Sequence, residues 1–155
     1  MDDVTNKLPE ELRANYKIHT RKSSSIIEHL KVAAALKLWE RGYKDIKFEV
    51  PVTFSGKTLI MKVLARNAEG GVVGVECASV IKLGRLRERV AQLRSCLPPN
   101  SWLIIIFPSS IDERVDKAAK LADEVWITGK NNTVEQILFI TILHRSRKPY
   151  KKLLK

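Results

Sequence analysis

An α/β domain with a mixed central sheet is what this 155-residue sequence predicts: an antiparallel three-strand meander, then parallel strands, flanked by helices. Three observations carry this. One helical segment precedes three consecutive strand patterns joined by short turn sequences. From residue 82 onward, helical and strand patterns alternate, which calls for right-handed parallel crossovers. The run WLIIIF, from Trp102 to Phe107, is apolar at every position, as a strand covered on both faces must be.

Residues 1–22 are polar and aperiodic and end in the basic cluster Lys17, His19, Arg21 and Lys22. They read as a mobile or loosely docked arm ahead of one domain over 23–147, with a basic tail at 148–155. Ser25 and Glu28 form a Ser-x-x-Glu capping box. From there Ile26, Ile27, Leu30, Ala33, Ala34, Leu38 and Trp39 recur at helical spacing up to Arg41, and Gly42 supplies the stop. Ile46, Phe48, Val50, Val52 and Phe54 then alternate with Lys47, Glu49, Pro51 and Thr53, the pattern of a half-buried strand. Pro51 places that strand near a sheet edge or a bulge.

Ser55-Gly56-Lys57 turns into a second strand at about Thr58 to Arg66, and the turn from Asn67 to Gly71 leads into a third, Val72 to Ala78. Lys82 to Cys96 is helical, with Leu83, Leu86, Val90, Leu93 and Leu97 as a narrow apolar stripe ended by Pro98 and Pro99. Ser110 with Glu113 caps a helix to about Ala122, and Glu124 to Thr128 is a short strand. Thr133 with Gln136 makes a further capping box, introducing a helix over Val134 to Arg147 that is apolar on nearly every side. So much apolar surface on one helix calls for burial either in a homodimer or entirely against the sheet.

Composition narrows the function. The chain holds 28 Lys and Arg against 17 Asp and Glu, a net charge of +11 and a pI near 9.8. Such a surplus attracts polyanions, chiefly nucleic acid, through counterion release, with anionic membrane surfaces as the rival. The longest apolar runs, WLIIIF and ILFITIL, fall far below the ~20 residues that cross a bilayer. The acidic N-terminus has no apolar stretch of signal-peptide length, so the expected location is the cytoplasm, without a membrane partner. Cys77 and Cys96 lack Cys-x-x-Cys or Cys/His company and read as reduced, mostly buried thiols. His19, His29 and His144 are scattered, and no Gly-rich loop matches a phosphate-binding pattern.

Chemistry concentrates in the hairpin TLIMKVLARNAEGGVVGVECAS, residues 58–79. It puts Lys62 on one strand and Glu76 on the next, two residues before Ala78. A carboxylate inside VVGVECASV faces burial and needs a partner. This layout, after one helix and within this element order, resembles the PD-(D/E)XK nuclease superfamily, in particular archaeal Holliday junction resolvases and RecB-type nucleases. The resemblance spans roughly Ser24 to Thr128. It implies a restriction-endonuclease-like fold, an archaeal source and homodimers.

In that family a glutamate of the first helix, an aspartate of the second strand and a glutamate of the third hold Mg²⁺, while a lysine of the third strand orients water. Hard oxygen ligands suit Mg²⁺, which activates water and neutralises charge developing at phosphorus. Carried over, the two glutamates fall on Glu28 and Glu76, the aspartate on Lys62 and the lysine on Ala78. An ammonium within about 4 Å of Glu76 would compete with a divalent cation, so Lys62 is expected to take the metal's place as an ion pair. No catalytic residue, metal or other cofactor is then expected. The alternative is an active Mg²⁺ nuclease in which Glu49 joins Glu28 and Glu76 as ligands and Lys62 or Lys47 serves as the lysine.

The basic surface supplies the rest. Lys82, Arg85 and Arg89 share one flank of their helix, with Arg87 and Arg94 on the other, and arginine's planar fork suits phosphate. Arg145, Arg147, Lys148, Lys151, Lys152 and Lys155 crowd the C-terminus, and Arg21 and Lys22 end the N-terminal arm. Aromatic interleaving is sparse beyond Tyr150, which argues against a single-strand stacking platform. The expectation is a protein that binds duplex or branched DNA mainly through phosphates, with a decayed cutting site. A noncatalytic partner of an active nuclease is the remaining alternative.

Overall fold

The computed structural model describes residues 7–16, 25–79, 82–109, 115–129 and 133–139. A short helix α1 (Glu10–Arg13) leads to α2 (Ser25–Glu40), followed by β1 (Lys44–Phe54), β2 (Lys57–Arg66) and β3 (Val72–Cys77). Then come α3 (Leu83–Cys96), β4 (Trp102–Phe107), α4 (Val115–Ala118), β5 (Glu124–Thr128) and β6 (Val134–Phe139). The six strands form one sheet in chain order. The β1–β2–β3 meander is antiparallel, β3–β4 and β4–β5 are parallel, and β6 returns antiparallel to β5.

The mixed sheet follows from where apolar side chains can go. On β4, Trp102, Ile104 and Ile106 join a core with Leu30, Ala34 and Leu38 of α2, while Leu103, Ile105 and Phe107 join one with Leu86, Val90 and Leu93 of α3. Both faces are therefore covered, which is why WLIIIF carries no polar position. The α2 helix stops at Gly42, whose positive φ (85°) lets the Tyr43 N–H reach the Leu38 carbonyl at 3.0 Å. Asn67 shapes the β2–β3 turn by accepting from the N–H groups of Glu69 (3.0 Å) and Gly71 (2.7 Å).

Three expectations are corrected. The stretch 7–16 is not loosely docked: Leu8 and Leu12 are buried in the α2-side core, and the Tyr16 ring meets Phe48 edge-on with centroids 5.1 Å apart. A two-leucine anchor at i and i+4 is too short to register as periodicity. The second correction concerns residues 134–139, which form strand β6 and not the start of a helix. Without β6, β5 would be a sheet edge with unpaired backbone groups, and a β-branched, aromatic run of this kind suits a strand. Six residues with Glu135 and Gln136 between Val134 and Ile137 are too few for periodicity to distinguish the two states. The helix expected from Val134 therefore does not start there, and residues 140–147 lie outside the described residues.

The third correction is on β1. Strict alternation would give Ile46, Phe48, Val50 and Val52 one common face, yet Ile46 and Phe48 belong to the α2-side core and Val50 and Val52 pack on the α3-side core. Between them Glu49 has a positive φ of 52°. The hairpin thus changes the core it serves at Glu49, and a second irregularity lies between Lys44 and Lys47.

Burial of Leu12 gives the first test. Leu12→Ala should cost about 2–4 kcal/mol in urea unfolding, whereas a residue on a loosely held arm would cost less than about 0.5 kcal/mol.

Candidate functional site

Glu76 lies on β3, where neighbours Val75 and Cys77 face the α2-side core. Its carboxylate therefore projects toward α3, buried at 8% exposure. There Arg89 Nε approaches Glu76 Oε2 at 3.2 Å, and Arg89 Nη2 donates to the Ile60 carbonyl at 2.7 Å. The second contact has a topological cause. The β2–β3 register runs from Arg66↔Val72 to Val63↔Val75, so β2 residues before Val63 have left β3. Arg89 spans the resulting gap, tying α3 to both strands. Glu76 Oε1 is buried with no hydrogen-bond partner among the described residues. Burial raises the Glu76 pKa above its ordinary value; Arg89 and Lys62 oppose the shift, and Glu49 adds to it.

A second charged centre lies between α2 and β1. Lys31 is fully buried, and its ammonium reaches Glu28 Oε1 at 3.0 Å, Glu28 Oε2 at 3.2 Å and Glu49 Oε1 at 2.7 Å. The Tyr16 hydroxyl donates to Glu28 Oε1, and the Tyr16 ring centroid is 5.2 Å from Lys31 Nζ. One lysine therefore binds two carboxylates from separate elements, with an aromatic lid supplied by the N-terminal segment. The left-handed backbone of Glu49 accompanies its place in this centre.

Lys62 sits on β2 between Met61 and Val63, whose partners on β1 are Val50 and Phe48, so the register sets it across from Glu49. It is half-buried and forms no ion pair among the described residues. The expected Lys62–Glu76 pair is thus replaced: Arg89 pairs with Glu76, and Lys62 acts on it only through its field. The Glu28 carboxylate turns inward to Lys31 and Tyr16. Ala78 follows β3 and gives its N–H to the Ile106 carbonyl at 3.0 Å.

Glu76, Ala78, Lys82, Arg85 and Arg89 line one cleft of about 460 Å³ at the start of α3. Lys82 and Arg85 are exposed, whereas Arg89 is drawn inward by Glu76. Arg94, on the opposite flank, is likewise committed, to Asp123 Oδ2 at 3.2 Å. Arg21, Lys22, Arg145, Arg147, Lys148, Lys151 and Lys152 lie outside the described residues. Lys31 and Tyr16 escaped the sequence reading. A charge within LKVAAAL, where every other position is apolar, was the available signal for Lys31; nothing local marked Tyr16.

The donor chemistry does not fit Mg²⁺. Both Glu28 oxygens and one Glu49 oxygen already face the Lys31 ammonium, and Glu76 Oε2 faces a guanidinium. Among the described residues no three His, Cys, Asp or Glu side chains could jointly hold a metal ion. Each of these three carboxylates has at least one oxygen engaged by a cation of the chain.

Two measurements follow. Lys31→Met should cost about 3–5 kcal/mol at neutral pH, because two carboxylates stay buried without their cation; urea unfolding reads it. For Glu76, a raised folded-state pKa means the native state keeps a proton that the unfolded chain has lost. Its contribution is therefore complete below the ordinary value of 4.5 and disappears as pH rises through the folded-state value. Against Glu76→Gln, the parent should lose relative stability from about pH 4.5 upward; a constant difference would contradict the shift.

No family model matches the chain, and no curated protein matches it in sequence. Solved structures do. An XisH family protein from Nostoc punctiforme superposes with a TM-score of 0.52 at 18% identity, covering 74% of this chain and 99% of that one. An fdxN element excision controlling factor from Anabaena variabilis gives 0.51 at 16% identity, covering 74% and 98%. The likeness is one of fold: a six-stranded mixed sheet with flanking helices, of the restriction-endonuclease-like kind.

Proposed function

We propose that this protein binds duplex or branched DNA through phosphate contacts at the start of α3 and does not cut it. The observation that carries this reading is the state of the three carboxylates: Glu28 and Glu49 share Lys31, and Glu76 is paired with Arg89. With Glu28, Glu49 and Glu76 paired from within, the charges facing solvent at the cleft are those of Lys82, Arg85 and Glu88, a net positive set. Arg87, also exposed, adds a third cation to the same helix. A net charge of +11 supplies the long-range attraction.

Phosphate contacts position a protein on nucleic acid without reading bases, so preference should follow shape more than sequence. The Anabaena variabilis protein is named an excision controlling factor, so a controlling role has a counterpart within this fold. The basic residues of both termini are proposed to extend the contact surface. A single specific observation favours a catalytic alternative: Glu76 Oε1 is buried without a hydrogen-bond partner beside the cleft.

Fluorescence anisotropy with duplex, four-way-junction and single-stranded DNA tests the reading. Binding should weaken steeply with salt, and Lys82→Ala with Arg85→Ala should lower the slope of log K against log salt by about 1 per residue. Incubation with Mg²⁺ or Mn²⁺ should leave the DNA intact. Cleavage that disappears in Glu76→Ala would establish the catalytic alternative with Glu28, Glu49, Glu76 and Lys62. Absence of binding at low salt would indicate a protein-interaction role, such as partner of an active nuclease.

A further inference from the structure

Arg89 stands in one row with Lys82 and Arg85, spaced i, i+3 and i+7 along one flank of α3 and its N-cap, and all three line the cleft. Of the three, Arg89 is the one held by a buried acid. Its Nε meets Glu76 Oε2 at 3.2 Å and its Nη2 holds the Ile60 carbonyl, which leaves Nη1 without a hydrogen-bond partner among the described residues. The Arg89 side chain is 26% exposed and that of Glu76 11%. A cation in the wall of the cleft is thus held from behind.

The hold is a weak form of its kind. Guanidinium and carboxylate bind most strongly as a fork, through two parallel hydrogen bonds of about 2.7–2.9 Å. Here one carboxylate oxygen makes one longer contact, and Glu76 Oε1 has no hydrogen-bond partner among the described residues. A phosphodiester carries the same charge as the carboxylate and offers two oxygens that match the guanidinium fork, so it competes on better terms. Lys62, half-buried on β2 and without an ion pair among the described residues, already acts on Glu76 through its field and is the cation left to answer it.

We propose that Glu76 is an internal substitute for a DNA phosphate: in the free protein it holds Arg89, and a phosphate bound beside Lys82 and Arg85 takes Arg89 over as the third cation of the row. The acid thereby sets a threshold for binding. An anion that stops at Lys82 and Arg85 meets two cations, and one that reaches Arg89 gains the third. This inference rests on the reading that the cleft binds DNA phosphates, and adds which group Arg89 serves before and after.

Anisotropy titrations of one duplex with the full-length parent, Glu76→Gln, Arg89→Ala and the double variant form a thermodynamic cycle, measured from about 50 to 200 mM salt. Glutamine keeps the shape of Glu76 and removes its charge. Glu76→Gln should bind roughly 5-fold tighter at low salt, with the slope of log K against log salt steeper by about 1. With Arg89→Ala in place, the same change should gain less than about 2-fold. Glu88→Gln is the control for charge removal alone, since Glu88 is an exposed carboxylate of the same cleft, and its gain should persist with Arg89→Ala. In the parent, the Arg89 Nε–H resonance, identified by its loss in Arg89→Lys, should move as duplex is added.

A Glu76→Gln gain of equal size with and without Arg89 would overturn the proposal, because the acid would then act through its field alone. So would a Glu76→Gln protein, folded by its melting curve, that binds no tighter than the parent. An Arg89 resonance that stays in place in the duplex-saturated parent would do the same, and decides the matter alone should Glu76→Gln not fold. Binding with an additive cycle removes this inference and leaves DNA binding standing; absence of binding by every variant removes both.

Discussion

A single buried ammonium organises the N-terminal half of this protein. Lys31 lies inside an apolar stretch of α2, where an isolated charge would be strongly disfavoured, and it is tolerated only because Glu28 and Glu49 come to it. That demand is linked to several features that otherwise look unrelated. Glu49 adopts a left-handed backbone, and the β1–β2 hairpin passes from one core to the other at that residue. The N-terminal segment is drawn in, since Tyr16 caps Glu28 while Leu8 and Leu12 complete the core beside α2.

Arginines take the same role elsewhere. Arg89 pairs with Glu76 and caps the Ile60 carbonyl where β2 leaves β3; Arg94 reaches Asp123. Arg41 meets Glu124, which also accepts from the indole N–H groups of Trp102 (2.9 Å) and Trp126 (2.5 Å). Burial pushes the Glu124 carboxyl up in pKa, with Arg41 foremost among the groups that restrain it. Every one of these acids is buried, and each has a cation from another element or another turn. These pairs remove particular cations from the surface but take up acids with them, so the surplus of +11 is undiminished and falls to the remaining lysines and arginines. Lys82, Arg85 and Arg87 remain outward on α3.

Much of the architecture was legible along the chain. The α2 pattern ending at Gly42, the antiparallel meander, the stripe of α3 and the wholly apolar β4 each carry a local signature with one structural solution. The segment at 134–139 was not legible, because Thr133 and Gln136 offer a helix-capping pattern ahead of the apolar run from Ile137, and only pairing with the edge of β5 decides for a strand. Residues 7–16 were misread for the converse reason: two leucines suffice when a core is waiting for them, and the core belongs to residues far away in sequence.

The acidic positions show the division most clearly. Sequence alone determined that Glu28, Glu49 and Glu76 stand on the first long helix, the first strand and the third strand, and that Lys62 and Ala78 break the expected pattern of a metal site. It did not determine which cation answers which acid. Lys62 was the local choice for Glu76, but β2 diverges from β3 before the two can pair, and Arg89 enters from α3 instead. Lys31, three residues from Glu28, gains its meaning only when Glu49 arrives from β1. Ion pairs between elements depend on distance in space, which sheet twist, bulges and helix packing set; spacing along the chain reports only the pairs within one element.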